Sequence, residues 1–205
     1  LKKKFTEVYE HRRAKKEDLP KLLDFVNTKG RQHDLYPKIT AEDLLGQTKL
    51  NLHYSQYYLS VGIEDDNIYA AFYVWRQDAR KQHILYEYNG MYKFLKYLGP
   101  LLPYLGYPKL PKEGTELKYY YLSYYAYEEE KLLAAEELIR YIATVNDSNY
   151  FLIGMVEEDP LCQVMQKMAK ISYGSRVYMV DYIKTEDSAK KIDAINNPYI
   201  ECGLL

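Results

Sequence analysis

Residues 117–127 constrain this chain more than any other segment. Six tyrosines, two leucines and an alanine stand there with no Gly, Pro, Asp or Asn among them. Rings at nearly every position, and not only at every second one, predict a strand buried on both faces at the centre of a sheet. Such a strand needs a covering layer on each side. Residues 131–145 supply one: Leu132, Ala135, Leu138, Ile139 and Ile142 share a helical face, with Glu136, Glu137 and Arg140 on another. Residues 150–156 then read as a short buried strand, giving a strand, helix and strand in succession.

The preceding segments supply the rest of a mixed sheet. Residues 6–14 alternate as an edge strand. A helix follows, with Lys16, Glu17 and Asp18 at its start, Pro20 in its first turn, an apolar stripe of Leu19, Leu22, Leu23 and Val26, and Gly30 as its stop. Residues 31–39 read as a polar loop, and Thr40 to Asp43 as a capped start of a short helix. Two β-rich runs, 57–63 and 68–75, flank the turn Glu64-Asp65-Asp66-Asn67, a hairpin pattern. Residues 82–88 suggest a further strand, and 91–105 a helix broken by Pro100 and Pro103. The proline-rich stretch 99–114 suggests an insertion or lid. Beyond the long strand, Asp159-Pro160 starts a helix over 161–169, residues 176–183 form a closing strand, and 200–205 a final run.

A length of 205 residues fits a single domain over 1–205. Because the first residue is Leu, that domain is equally readable as the C-terminal part of a longer chain. A net charge of −1 excludes the electrostatic footprint of a nucleic-acid binder. No apolar run approaches membrane-spanning length, about 18 residues. Cys162 and Cys202 are far apart and the four histidines are scattered, which predicts no metal site and fits free thiols in a cytoplasmic protein. No nucleophile elbow, phosphate-binding P-loop or dinucleotide fingerprint occurs. Tyrosine, at 25 copies, is the compositional anomaly, and a tyrosine-rich face would suit a homodimer interface.

The element order, with the opening Arg12-Arg13-Ala14 followed by Glu17-Asp18-Leu19, resembles the GNAT superfamily of acyl-CoA N-acyltransferases. Trp75-Arg76-Gln77, the stretch from Tyr173 to Tyr178 and the ending Glu201-Cys202-Gly203-Leu204-Leu205 resemble a bacterial branch of it. The resemblance implies an α/β (α+β) fold with a mixed, mostly antiparallel sheet flanked by helices on both faces. It also implies a sheet that splays between its fourth and fifth strands to admit the pantetheine arm of acetyl-CoA or another acyl-CoA. The implied activity is acyl transfer to a small-molecule acceptor, an amine or aminoacyl group, with no nucleic-acid or membrane partner.

By that resemblance Ser123, Tyr125, Tyr127 and Lys131 would contact the cofactor and Arg31, His33 and Trp75 the acceptor, with Tyr173 and Glu116 as candidate catalytic groups. The turn after the long strand departs from the family pattern. It reads Glu128-Glu129-Glu130-Lys131, acidic and without glycine, where a pyrophosphate loop belongs. Those acids either stabilise the next helix or line the phosphate position. The alternative is therefore a catalytically degenerate binding or regulatory domain, dimeric or half of a tandem GNAT protein.

Overall fold

The computed structural model describes residues 5–77, 83–90, 93–94, 97, 99, 101, 104, 110–148, 150–169, 174–176 and 195–204. Five strands form one sheet in the order β1-β2-β3-β4-β5: β1 Tyr9–Arg13, β2 Tyr57–Gly62, β3 Ile68–Trp75, β4 Tyr119–Tyr127 and β5 Tyr150–Leu152. The first four pair antiparallel in sequence, and β5 joins β4 in parallel. The helices are α1 Leu19–Lys29, α2 Ala41–Leu44, α3 Leu132–Val145 and α4 Pro160–Met168.

Alternation along the strands divides the buried side chains into two layers. On one face Leu22, Phe25 and Val26 of α1 meet Leu59, Val61, Ala71, Tyr73 and Ala126. On the other, Leu138, Ile139 and Ile142 of α3 with Leu161 and Met165 of α4 meet Phe72, Val74, Tyr120 and Leu122. Each buried aliphatic chain of this size contributes about 2 kcal/mol. The sheet is thus covered by helices on both faces, as the expected fold requires.

Local chemistry explains most boundaries. Thr40 accepts from the Asp43 amide while the Asp43 carboxylate takes the Thr40 amide, which starts α2. Asp159 caps α4 through the Leu161 amide, with Pro160 in the first turn. Asp18 does more than favour a helix dipole. Arg12 at the end of β1 grips it with two nitrogens at 2.6 and 2.8 Å, tying β1 to α1.

Several expectations need correction. The long tyrosine strand is β4, interior but fourth in order, and β3 takes the centre. Glu137 does not lie on a polar face. It is buried against Thr6, which donates from its amide and hydroxyl, and His11. Gly30 follows α1, but its φ is an ordinary −61°, so no left-handed stop is present. A Cβ there would fall 2.3 Å from the Tyr36 ring, and close approach is what requires glycine. Of residues 82–88, the described part makes only an isolated bridge, Ile84 to Glu116. Of the closing strand expected over 176–183 only Arg176, outside any strand, is described; residues 177–183 and most of 91–109 lie outside the described residues.

Candidate functional site

β4 starts beside β5, has a neighbour on each side at Tyr121, and ends beside β3 alone. Tyr119, Tyr120 and Tyr121 pair with Tyr150, Phe151 and Leu152, and beyond that the two strands part. On its other side β4 stays paired to β3 as far as Tyr127, but with one irregularity. From Ala71 to Tyr73 β3 advances two residues, while β4 spans three, from Ala126 to Ser123. β4 therefore holds an extra residue, a β-bulge. Its effect on side chains is a change of phase: Tyr120 and Leu122 face α3, Tyr124 and Ala126 face α1, and Tyr125 and Tyr127 face α3 again. Tyr124 takes the left-handed conformation, φ 44°, a strained state for a residue with a large side chain.

The bulge turns the Tyr124 N–H away from β3. It donates to the Tyr199 hydroxyl at 2.5 Å and faces the Glu201 carboxylate at 3.3 Å. Glu201 is further held by the Ser123 hydroxyl at 2.8 Å, the Tyr199 hydroxyl at 2.6 Å and the Gly203 amide at 2.9 Å. The segment carrying Tyr199 and Glu201 is anchored at both ends. Asp34 and Tyr199 exchange a backbone bond of 2.7 Å, and the Gln77 side chain donates to the Gly203 carbonyl at 2.7 Å. It also presses on the chain just past β5, where a Cβ on Gly154 would fall 2.8 Å from the Ile200 carbonyl oxygen. Residues 199–203 therefore bridge the two sides of the parted strands.

A second polar cluster lies on the α3 and α4 face of the same opening. Asp159, fully buried, accepts from the Tyr127 hydroxyl in a short hydrogen bond and from Tyr125 at 3.4 Å. His33 stands 3.8 Å from Asp159 and edge-on to the Tyr125 ring. Burial first, and then Asp159, pushes the Tyr125 and Tyr127 phenols well above their ordinary pKa, so both stay protonated. Burial, with Glu201 second, does the same for Tyr199.

The expected site residues divide clearly. Ser123, Tyr125, Tyr127, His33 and Trp75 gather around the opening. Trp75 packs its ring 5.9 Å from Tyr124, touches the Gly203 position, and lines a 320 Å³ groove with Leu50, Asn51, Gln56, Tyr73 and Gln77. Arg31 is exposed on the loop that carries His33, and Glu116 is exposed before β4. Lys131 reaches over the Tyr69 ring, 5.6 Å from its centroid. Tyr173 lies outside the described residues. Sequence reasoning missed Tyr36, Asp159, Tyr199 and Glu201 as site residues. The Asp159-Pro160 helix start had marked one of them as a cap, and Glu201 had entered only as part of the ending that carries the resemblance.

The acidic turn is a short 3-10 turn, Glu129–Lys131, ahead of α3. Glu129 and Glu130 are exposed, and Glu128 pairs with Lys29 of α1 at 3.2 Å. Covalent chemistry through cysteine is disfavoured: burial, with Glu201 second, pushes the Cys202 thiol up to about 11, and burial also raises Cys162. Among the described residues no group of His, Cys, Asp and Glu could hold a metal ion, and no helix is long and apolar enough to cross a membrane.

No family model and no curated protein matches this sequence. Solved structures similar to this chain include a GNAT family acetyltransferase from Bacillus anthracis, 12% identical over 79% of each chain with a TM-score of 0.43. A GNAT family acetyltransferase from Listeria monocytogenes is 10% identical over 82% of this chain and 89% of its own, TM-score 0.43. An aminoglycoside acetyltransferase from an uncultured soil metagenomic sample, in complex with trehalose, is 15% identical over 89% and 100%, TM-score 0.45. The topology of this chain, four antiparallel strands, a parallel fifth, and a sheet that parts between β4 and β5, is the mixed α/β arrangement that the sequence resemblance implies.

Proposed function

We propose that the protein is an acyl-CoA dependent N-acyltransferase whose reaction centre is the bulge of β4. The observation that carries this reading is the Tyr124 N–H, turned by the bulge into the opening between β4 and β5. An amide fixed in a partly dry site is suited to the charge that develops on a thioester oxygen when an amine attacks its carbon. Such a donor contributes about 3 kcal/mol to the transition state. The Tyr199 oxygen holds that position, and the thioester oxygen would replace it there.

The remaining steps follow from the same residues. Glu201, 3.3 Å from the Tyr124 nitrogen, is the base in reach of an amine at the bulge. As the nitrogen bonds to the thioester carbon and the carbon–sulfur bond breaks, the amine's proton passes to Glu201. The sulfur leaves as a thiolate and recovers a proton through Tyr199, which already bonds to Glu201. Because Tyr199 stays protonated, its role is to relay a proton and stabilise the thiolate by hydrogen bonding. Pantetheine would lie along residues 125–127, and the groove at Trp75 would take the acceptor.

The diphosphate of coenzyme A would meet the turn before α3, where Glu129 and Glu130 oppose it. Weak binding is therefore expected, with a Kd of about 100 μM or roughly −5.5 kcal/mol. Calorimetric titration with acetyl-CoA at low salt tests this reading. Saturable binding that tightens when Glu128, Glu129 and Glu130 are replaced by neutral residues including Gly supports it. The absence of both binding and a thermal shift would reject it.

A further inference from the structure

Two arginines near the C-terminal end of α3 have no carboxylate partner among the described residues. Their neighbours spend the same charge in ion pairs: Arg12 on Asp18 at 2.6 Å and Arg140 on Glu136 at 2.7 Å. Arg13 and Arg76 meet neutral groups. The Arg13 Nε donates to the Tyr58 hydroxyl at 2.7 Å, and an Arg76 Nη2 approaches the Asn146 side-chain oxygen at 3.5 Å. Asn146, the residue after α3, donates in turn to the Tyr58 hydroxyl at 3.4 Å. Two exposed cations are thus linked through one phenol and one amide. Like charges held together in this way repel unless an anion lies between them.

The phenols beneath them supply a second sign of a missing acceptor. The Tyr58 oxygen accepts from both Arg13 and Asn146, so its own O–H has nothing to donate to among the described residues. Tyr120 is buried, and its hydroxyl has no hydrogen-bond partner among the described residues. Trp75 pairs with Tyr121, so the next residues outward, Arg76 and Tyr120, stand side by side at the end of the ladder. Tyr58 and Tyr120 share the layer under α3, the side on which Asn146 meets Arg76. Burial raises the Tyr120 pKa first, and Tyr58 and Arg76 act on it next, as that placement requires. Two guanidinium groups and two phenols here have donor capacity to spare, a surplus that an acceptor from outside would fill.

We propose that this cluster is a binding site for a phosphate-type oxyanion, held between Arg13 and Arg76 with the Tyr58 and Tyr120 hydroxyls as further donors. Charge decides for phosphate over carboxylate. A phosphate or phosphate monoester carries nearly two negative charges at neutral pH, and two guanidinium forks match it in number and geometry. The C-terminal end of α3 opposes an anion with only about half a unit of negative charge, against two full positive ones. Asn146 also covers the Ile142 carbonyl there, at 2.9 Å. The Asn146 contact to Arg76 is at the outer limit of a hydrogen bond, so it is the one an arriving anion would replace. The 14 residues of α3 span about 21 Å between this cluster and the acidic turn at its other end. The site is therefore separate from the place where the coenzyme A diphosphate would lie, and it does not rest on the transferase reading.

The test is calorimetric titration of the full chain with inorganic phosphate, at an ionic strength fixed with sodium chloride, and with acetate as the carboxylate control. Saturation by phosphate at concentrations about tenfold below those of acetate is expected, one charge-assisted bond being of that order. Arg76→Gln, a change at an exposed side chain, should weaken phosphate about tenfold with the melting temperature unchanged. Arg13→Gln should do the same, and Tyr120→Phe should weaken phosphate about threefold. Arg140→Gln removes a charge already spent on Glu136 and should leave phosphate binding unaltered. Phenyl phosphate separates the two sources of this chemistry: tighter binding than inorganic phosphate names a phosphate monoester as the occupant, and equal binding the free ion. Equal affinity for phosphate and acetate, full phosphate affinity in Arg76→Gln, or an equal loss in Arg140→Gln would overturn the proposal. Acetyl-CoA affinity that disappears in Arg76→Gln would overturn it too, by making this cluster part of the cofactor site.

Discussion

The two ends of β4 hold three tyrosines each and have different fates. Residues 119–121 are three tyrosines paired to β5, with Tyr121 paired to β3 as well, and two of their hydroxyls contact each other at 3.2 Å. Residues 122–127 hold three more, paired on one side only, and their polar groups turn to elements distant in sequence: Asp159, Gly154, Tyr199 and Glu201. Tyrosine is therefore not the signal of a site. What separates the two ends is the loss of a neighbouring strand together with one extra residue, and the polar network grows where the ladder is missing.

Breaking that network should cost more than any change at the paired end. The largest effect is expected for Asp159→Ala, which strips the cap of α4 and leaves the Tyr127 hydroxyl without its acceptor, while Tyr125 keeps only the Gly154 carbonyl. A loss of about 3 kcal/mol in urea unfolding is expected. A loss below about 1 kcal/mol would mean that the two phenols do not depend on it. Next is Gly154→Ala, whose Cβ meets a backbone oxygen at Ile200. About 2 kcal/mol of destabilisation is expected, with faster amide exchange in residues 199–203 as the diagnostic.

Smaller changes sharpen the comparison. Tyr120→Phe, at the paired end, should raise stability by about 1 kcal/mol, since it removes an unsatisfied hydroxyl whose pKa burial has raised to about 12. A fall would show that the hydroxyl has a partner. The smallest expected effect is at β1, outside both ends. Burial depresses His11 more than Glu137 raises it, so the folded protein binds this proton less readily than the unfolded chain. Stability from that site is full above the ordinary histidine range, near pH 6.5, and is lost as pH falls toward the depressed value. His11→Gln should flatten that part of a stability-against-pH curve, and an unchanged slope would assign it elsewhere.

Much of the framework was legible because local rules decided it. The hairpin of β2 and β3, the Thr40 cap, the apolar face of α3 and the start of α4 at Asp159-Pro160 each follow from a few neighbouring residues. The site was legible only in part. Ser123, Tyr125, Tyr127, His33 and Trp75 lie near one another, but no glycine or proline marks the bulge, because the strain at Tyr124 is borne by contacts with Tyr73, Trp75 and the distant Tyr199. Tyr199 escaped notice, and Glu201 was read only as part of the ending Glu201 to Leu205, for the same reason: 75 or more residues separate them from Tyr124. Glu137 misled because a glutamate on a helix is ordinarily solvated, whereas here Thr6 and His11 satisfy it.

The central claim is that the parted end of β4 is where ligand acts, and hydrogen exchange followed by mass spectrometry, with and without acetyl-CoA, tests it most directly. Added protection is predicted in residues 122–127 and 199–203, with residues 119–121 and the β2–β3 hairpin unchanged. Protection that falls on the paired end, or acetyl-CoA binding that leaves residues 122–127 unaltered, would contradict it.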